Sequence, residues 1–162
     1  MRSGLGIDSH RFAPGRPLIL GGVEIPHDRG LLGHSDADVL AHAITDAILG
    51  GAALGDIGTH FPDTDPRWKG ADSIQLLQGA VALVADAGWR VEFVDATVMM
   101  ERPKVAPYRE AMMERLSEAV GAPVHVKATT GEGMGFVGRE EGVAALAVAT
   151  LAAADGVDAR NG

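Results

Sequence analysis

Gly4-Leu-Gly-Ile-Asp8-Ser-His10-Arg-Phe12, followed by Asp38-Val-Leu-Ala-His42-Ala-Ile-Thr-Asp46, decides how this chain is read. Residues 2–12 read as a strand, so Asp8 and His10, two apart, project from one face of it. From residue 38 the apolar spacing is helical, and Asp38, His42 and Asp46 at i, i+4 and i+8 share a side. Two imidazole nitrogens and one carboxylate oxygen make a borderline donor set that suits zinc. Three protein ligands leave a fourth tetrahedral position for substrate or water, the arrangement of a catalytic rather than a structural centre. An Asp-x-His pair alone is usually a hydrogen-bonded pair, and a lone helical histidine is usually a satisfied residue of the partial core. The company of all three gives the reading its weight. A ligating imidazole also needs an acceptor to fix its tautomer, a role open to the aspartates beside His42.

Outward from these segments, residues 17–25 read as a second strand after a Gly15-Arg-Pro17 turn, closed by Pro26. Residues 31–37 form a polar loop carrying His34, Ser35 and Asp36, and Ser35, Asp36 or Asp38 caps the helix that runs on to residue 53. Gly55 through Asp65-Pro is a long loop rich in Gly, Pro and Asp, of a length that is usually functional or disordered. A helix over 73–88 capped by Asp72 or Ser73, a strand over 91–99, a helix over about 107–120 and a strand over 124–129 follow. Residues 142–153 stay open between helix, favoured by their alanines, and a strand of small residues. Residues 155–162 read as a loose end, and His27, His60 and His125 read as structural.

The 162 residues are 46% apolar and form most simply one domain with a real core. A net charge of -8 repels phosphate backbones and argues against nucleic acid as a partner. There is no cysteine, which excludes disulfides and fits a cytoplasmic, reducing compartment. Asp8 and His10 fall where a signal peptide would be apolar, and the apolar run 142–154 is too short to span a bilayer. Lys127-Ala-Thr129-Thr130-Gly131-Glu132-Gly133 follows a strand with two hydroxyls, backbone amides and one carboxylate. Such a loop holds phosphate oxygens together with a hard cation. These features alone reach as far as a zinc-dependent enzyme acting on a phosphorylated small molecule. A metal-dependent phosphoesterase and a non-catalytic binding protein are the competing readings.

The set as a whole resembles the 2-C-methyl-D-erythritol 2,4-cyclodiphosphate synthase family. The matching stretches are Gly6-Ile-Asp8-Ser-His10-Arg-Phe12, Gly30-Leu-Leu-Gly-His34-Ser35-Asp36-Ala-Asp38, His42-Ala-Ile-Thr-Asp46-Ala and Leu54-Gly-Asp56-Ile-Gly58. Phe61-Pro-Asp63-Thr-Asp65-Pro, Lys69-Gly-Ala-Asp-Ser73, Pro103-Lys104, and Lys127-Ala-Thr-Thr130 with Glu132 and Gly135-Phe136 continue the match. The resemblance implies a single α+β domain over 1–156, a mixed sheet with helices on one face, a flexible tail at 157–162, and a homotrimer. It implies cyclisation of 4-diphosphocytidyl-2-C-methyl-D-erythritol 2-phosphate with release of CMP. Asp8, His10 and His42 match the zinc ligands, and Glu132 the protein side of a magnesium or manganese ion. His34 and Thr130 match the groups that stabilise the transition state, and Ser35 lies beside the phosphate. Asp56, Ile57, Gly58, Phe61, Asp63 and Asp65 match the methylerythritol segment. Met100, Pro103, Lys104, Ala106 and Thr129 match the cytidine-phosphate pocket. The chain lacks the nucleotidyltransferase domain some members carry in front, so it reads as monofunctional.

In the implied trimer, active sites lie between neighbours and residues 143–150 line the threefold axis as an alanine- and valine-rich channel. Arg139 then sits near one end of that axis, with Glu141 pairing each arginine, and the cavity accepts isoprenoid diphosphates; Phe136 and Arg139 are both expected among the substrate-binding residues. Two departures stand out. Gly131 and Gly133 flank Glu132 where bulkier residues are common, which predicts a looser loop, and Glu140 stands where glycine is common.

Overall fold

In a computed structural model, which describes residues 1–154, the opening alternation becomes strand β1 (Arg2–Pro14) and the helical stretch becomes α1 (Val39–Gly51). β1 pairs antiparallel with β7 (Gly142–Ala153), and its far end pairs with the short β4 (Arg29–Leu31). β7 pairs antiparallel with β5 (Trp89–Met99), and β5 pairs parallel with β6 (Val124–Thr129). The five strands lie in the order β4-β1-β7-β5-β6, a mixed sheet as expected. The parallel step from β5 to β6 needs a crossover, and α4 (Arg109–Val120) supplies it. α3 (Ser73–Asp86) completes the helical layer with α1 and α4.

The helices cover one face of the sheet. Gly6, Ala147, Ala96 and Val126 form a transverse row in register, buried beneath them. The adjacent row, Ile7, Leu146, Thr97 and Lys127, points the other way. That second face stays open: Leu5 is 60% exposed, Ile7 58%, Val148 45% and Phe93 43%.

Contact between α1 and β1 is backbone on backbone. A Cβ on Gly4 would stand 2.0 Å from the Ala47 carbonyl oxygen, and one on Gly6 1.9 Å from that of Ala43. Ala43, Ala47 and Gly51 form the matching stripe of small residues on the helix, so neither partner holds the other away. The helix is pinned at its start by Asp38. Its Oδ1 accepts from Ala41 N at 3.0 Å and Gly21 N at 2.9 Å, and its Oδ2 from Gly22 N at 2.7 Å. Burial pushes this carboxyl above its ordinary pKa, and the three N–H donors oppose that shift.

Several expectations change. Residues 17–25 are a hairpin, β2 (Leu18–Leu20) and β3 (Val23–Ile25), turning at Gly21 and Gly22, both with positive φ as a tight primed turn requires. The 55–66 loop contains α2 (Ile57–His60), and Pro66–Trp68 forms a 3-10 turn. Residues 142–153 are a strand despite their alanines, because pairing on both edges outweighs local propensity. Their alternation also revises the expected channel: Ala145, Ala147 and Ala149 pack beneath the helices, while Leu146 and Val148 face outward. The tail expected at 157–162 lies outside the described residues.

Gly6→Ala drives a methyl into the Ala43 carbonyl. The expected result is a loss of about 3 kcal/mol or more of stability, read as a large fall in Tm, whereas Gly50→Ala, with open space around it, leaves Tm within a few degrees.

Candidate metal centre

Residues 4, 6, 8 and 10 of β1 share the face that meets α1, so the two side chains following the glycine contact rise beside the first turns of the helix. There they meet His42. Asp8 Oδ2 lies 2.9 Å from His10 Nε2 and 3.0 Å from His42 Nδ1, and the two nitrogens are 3.2 Å apart. Ligands about 2.0–2.1 Å from a tetrahedral ion stand roughly 3.3 Å from one another. The triangle is therefore almost the base of such a tetrahedron.

Protons point the same way. His10 Nδ1 lies 2.9 Å from the Leu32 carbonyl, which can only accept. A neutral His10 therefore holds its proton on Nδ1 and turns a bare Nε2 toward Asp8. His42 Nε2 faces the Ser73 hydroxyl at 2.8 Å and the Ser35 hydroxyl at 3.1 Å, and its Nδ1 faces Asp8. Lone pairs converging on one point fit a cation, and the donor set of two nitrogens and one oxygen fits a borderline divalent metal. When the imidazoles are protonated instead, the same contacts are hydrogen bonds to Asp8. Burial raises the Asp8 carboxyl, but its bonds with His10 and His42 prevail and hold it at about 2. Burial likewise lowers His10, but Asp8 wins and raises it above the ordinary histidine value.

The aspartates that share a helix side with His42 do not orient it. Asp38 caps α1, and Asp46 Oδ1 accepts from Ile57 N at 2.8 Å, tying α2 to α1. Burial raises the Asp46 carboxyl. The acceptor role passes to hydroxyls.

The triangle forms the floor of a cleft of about 440 Å³ lined by His34, Ser35, Ile57, Gly58, Phe61, Pro62, Asp63 and, unforeseen in the sequence, Gly33, Trp68 and Leu76. Phe61 and Trp68 meet edge to face at 5.2 Å. Arg16 Nη2 donates to Ser35 O at 2.6 Å and Gly70 N to His34 O at 2.8 Å, which fixes the loop beneath His34. His34 Nε2 donates to Asp65 O at 3.3 Å. Asp56 and Asp65 stand back from the cleft. Asp56 Oδ1 caps α2 through Thr59 N at 2.8 Å, and Asp65 binds Arg67. They shape the segment and leave its lining to neighbours.

The other expected residues gather elsewhere. β5 and β6 are parallel, so their C-terminal ends bring 100–106 and 129–132 together: Met100 N donates to Thr129 O at 3.0 Å and Gly131 N to Glu101 Oε2 at 2.9 Å. Pro103 follows a cis bond, and Lys104 and Ala106 are exposed. Met100 is 3% exposed, a core residue whose side chain is out of reach. Thr130 Oγ1 donates to Glu132 Oε1 at 3.3 Å. Ser9, Ala144, Met99 and Thr129 form one row across the sheet. The metal triangle and the Thr129–Glu132 edge therefore sit at the same end of the sheet, three strand spacings or roughly 14 Å apart. One chain does not bring them together.

The expected looseness around Glu132 is not what the packing gives. A Cβ on Gly131 would stand 2.5 Å from Gly138 N, and one on Gly138 2.3 Å from the Gly133 carbonyl carbon, so these glycines close the loop onto α5 (Gly135–Gly138). Arg139 Nε donates to Glu141 Oε2 at 3.0 Å as anticipated, beside an exposed Phe136. Glu140 turns away to Arg102, at 3.2 Å, and Arg29, at 3.7 Å.

A mixed sheet with helices on one face carries, beneath a cleft, a group of three side chains that could hold a metal. The chain belongs to the YgbB family, whose profile matches residues 1–152. Over 154 residues it is 61% identical to a 2-C-methyl-D-erythritol 2,4-cyclodiphosphate synthase of Syntrophobacter fumaroxidans, covering 93% of this chain and 97% of that one. It is 64% identical over 157 residues to a bifunctional IspD/IspF enzyme of Anaeromyxobacter dehalogenans, covering 95% of this chain but only 40% of that longer protein. A solved structure of a 2-C-methyl-D-erythritol-2,4-cyclodiphosphate synthase in its CDP-bound form matches with a TM-score of 0.85 at 42% identity, over 93% of this chain and 100% of that one.

His42→Ala is expected to abolish stoichiometric metal, measured by elemental analysis, while circular dichroism stays that of the parent. Full metal occupancy in the variant would remove His42 from the centre. Protons compete with metal for bare nitrogen, so affinity in the parent should fall as pH drops through the raised pKa of His10, well above the range where Asp8 titrates. Chelator competition across that window is the measurement.

Proposed function

We propose that this chain cyclises 4-diphosphocytidyl-2-C-methyl-D-erythritol 2-phosphate to 2-C-methyl-D-erythritol 2,4-cyclodiphosphate and CMP, a step toward isoprenoid precursors. The observation that carries the reading is the convergence of Asp8, His10 and His42 beneath an open cleft. Identity near 60% along the length of named synthases supports it. An oxygen of the 2-phosphate bonds to the β-phosphorus as the bond from that phosphorus to the CMP oxygen breaks, and the electron pair leaves with CMP. No nucleophilic side chain is needed; alignment and charge neutralisation suffice.

Asp8, His10 and His42 would hold zinc, and Glu132 would be the protein ligand of a magnesium or manganese ion, which when bound would supply neutralisation of phosphate charge. His34 donates to oxygens that gain charge in the transition state, as does Thr130 from its turn beside Glu132. Ser35 donates to the phosphate nearest the floor of the cleft. Ile57, Gly58, Phe61 and Asp63 enclose the methylerythritol, with Asp56 and Asp65 shaping that segment. Residues 100–106 and Thr129 receive the cytidine phosphate; Pro103, Lys104 and Ala106 contribute mainly backbone, and Met100 supports from the core.

A homotrimer completes the site. Its support is twofold: the roughly 14 Å between the triangle and the Thr129–Glu132 edge, and the bare apolar face of Leu5, Ile7, Phe93, Leu146 and Val148. A neighbour's 100–106 and 129–132 segments then face each cleft. Arg139, with Phe136 close by, lies toward the trimer axis, where an isoprenoid diphosphate binds along the leucine- and valine-bearing face. The compartment is the cytoplasm; among the described residues no helix is long and apolar enough to cross a membrane.

Phosphorus NMR after incubation with the cytidyl substrate should show the cyclic diphosphate and CMP. Inorganic phosphate instead would favour a phosphoesterase and overturn the reading. Glu132→Gln should keep zinc but lose most of its response to added magnesium or manganese, and an unchanged titration would reduce Glu132 to a loop residue. Light scattering is expected to give the trimer mass; a monomer under active conditions would refute the shared site.

A further inference from the structure

We infer that Asp36, acting through the Ser73 hydroxyl, is the positioning residue that decides which nitrogen of His42 faces the metal. The inference rests on the metal reading of the triangle and goes beyond its ligands. Asp36 lies in the loop before α1, and its carboxylate only accepts. Oδ1 accepts from Asp38 N at 3.1 Å and from the Ser73 hydroxyl; Oδ2 accepts from Ser73 N at 3.1 Å. Ser73 is fully buried as the first residue of α3, so no water competes for its side chain.

A hydroxyl has one proton and two lone pairs. With that proton committed to Asp36, Ser73 Oγ offers only lone pairs to His42 Nε2, 2.8 Å away. His42 Nε2 must therefore carry the imidazole proton, and Nδ1 is left bare toward Asp8 and His10. Were the Ser73 hydroxyl free to turn, it would donate to Nε2 instead. The N–H would then move to Nδ1 and point into the metal position, where it repels a cation.

The same counting orients Ser35. Its Oγ accepts from Ala37 N at 3.2 Å, and the His42 Nε2 at 3.1 Å is already protonated. The Ser35 proton then has an acceptor in Ser73 Oγ, 3.4 Å away, whose second lone pair His42 does not use. One half-buried carboxylate thus sets the direction of the string from the serine pair to the nitrogen that faces the metal position.

The test reads the tautomer itself. Nitrogen-15 NMR of histidine-labelled, metal-free protein in alkaline buffer should place the His42 proton on Nε2 in the parent. In Asp36→Asn and Ser73→Ala it should be shared with Nδ1 or moved to it. Zinc affinity by chelator competition should fall 10- to 100-fold in both variants, the range expected on losing such an outer partner, and partner loss is the only change if metal-free Tm values stay close to the parent's. A parent with its proton on Nδ1 overturns the proposal, as do variants with parental tautomer and affinity. If the parent binds no zinc, the metal reading fails, yet the tautomer measurements still decide the role of Asp36. The parent's tautomer also decides should either variant fail to fold.

Discussion

Everything at the centre depends on how closely α1 can lie on β1. Side chains normally hold a helix off a sheet; here Gly4 and Gly6 face Ala43 and Ala47, and main chain meets main chain. That contact fixes the distance and rotation of the helix relative to the strand. Two residues further along the same strand face, Asp8 appears, then His10, and the helix presents His42 to both. The 2.9–3.2 Å triangle is a geometric consequence of a contact that lacks Cβ atoms. A larger residue at 4 or 6 displaces a whole helix, and with it one corner of the triangle.

The two pinning carboxylates of the region divide the work. Asp38 binds the hairpin glycines to the start of α1, and Asp36 binds the start of α3. Neither touches the cleft, yet each fixes an element that does. An acidic protein thus uses several of its carboxylates internally, against backbone N–H groups, where their charge is absorbed by dipoles. Arg16 anchors the His34–Ser35 loop through a carbonyl and adds positive charge near the cleft.

Much of this was legible in the sequence, and the omissions have physical causes. β1 and α1 are long enough for their periods of 2 and 3.6 to show, so the three ligands could be named from spacing and donor chemistry. β2, β3 and β4 are three residues each, too short to display a period, and only Gly21-Gly22 hinted at a hairpin. β7 is apolar on both faces, so its inward and outward residues cannot be told apart until its partners set the register. Ser73 stood inside a recognised motif, but its bond to His42 joins positions 31 apart, and no local pattern encodes that. Trp68 and Leu76 enter the cleft the same way, through folding of the 55–76 segment over it. At Met100 the side chain serves the core, which leaves only its backbone for the expected pocket.

The glycine contact also bears on the order in which the protein matures. In small zinc domains the ion gathers ligands from an unfolded chain, and binding energy is folding energy. Here the scaffold aiming the ligands is held by apolar packing, strand pairing and the Asp38 cap, none of which runs through the ion. Folding can finish first, so that a metal would load as a separate, later event at a finished receptacle. The affinity of that receptacle is then free to be tuned from its outer partners without putting the fold at risk.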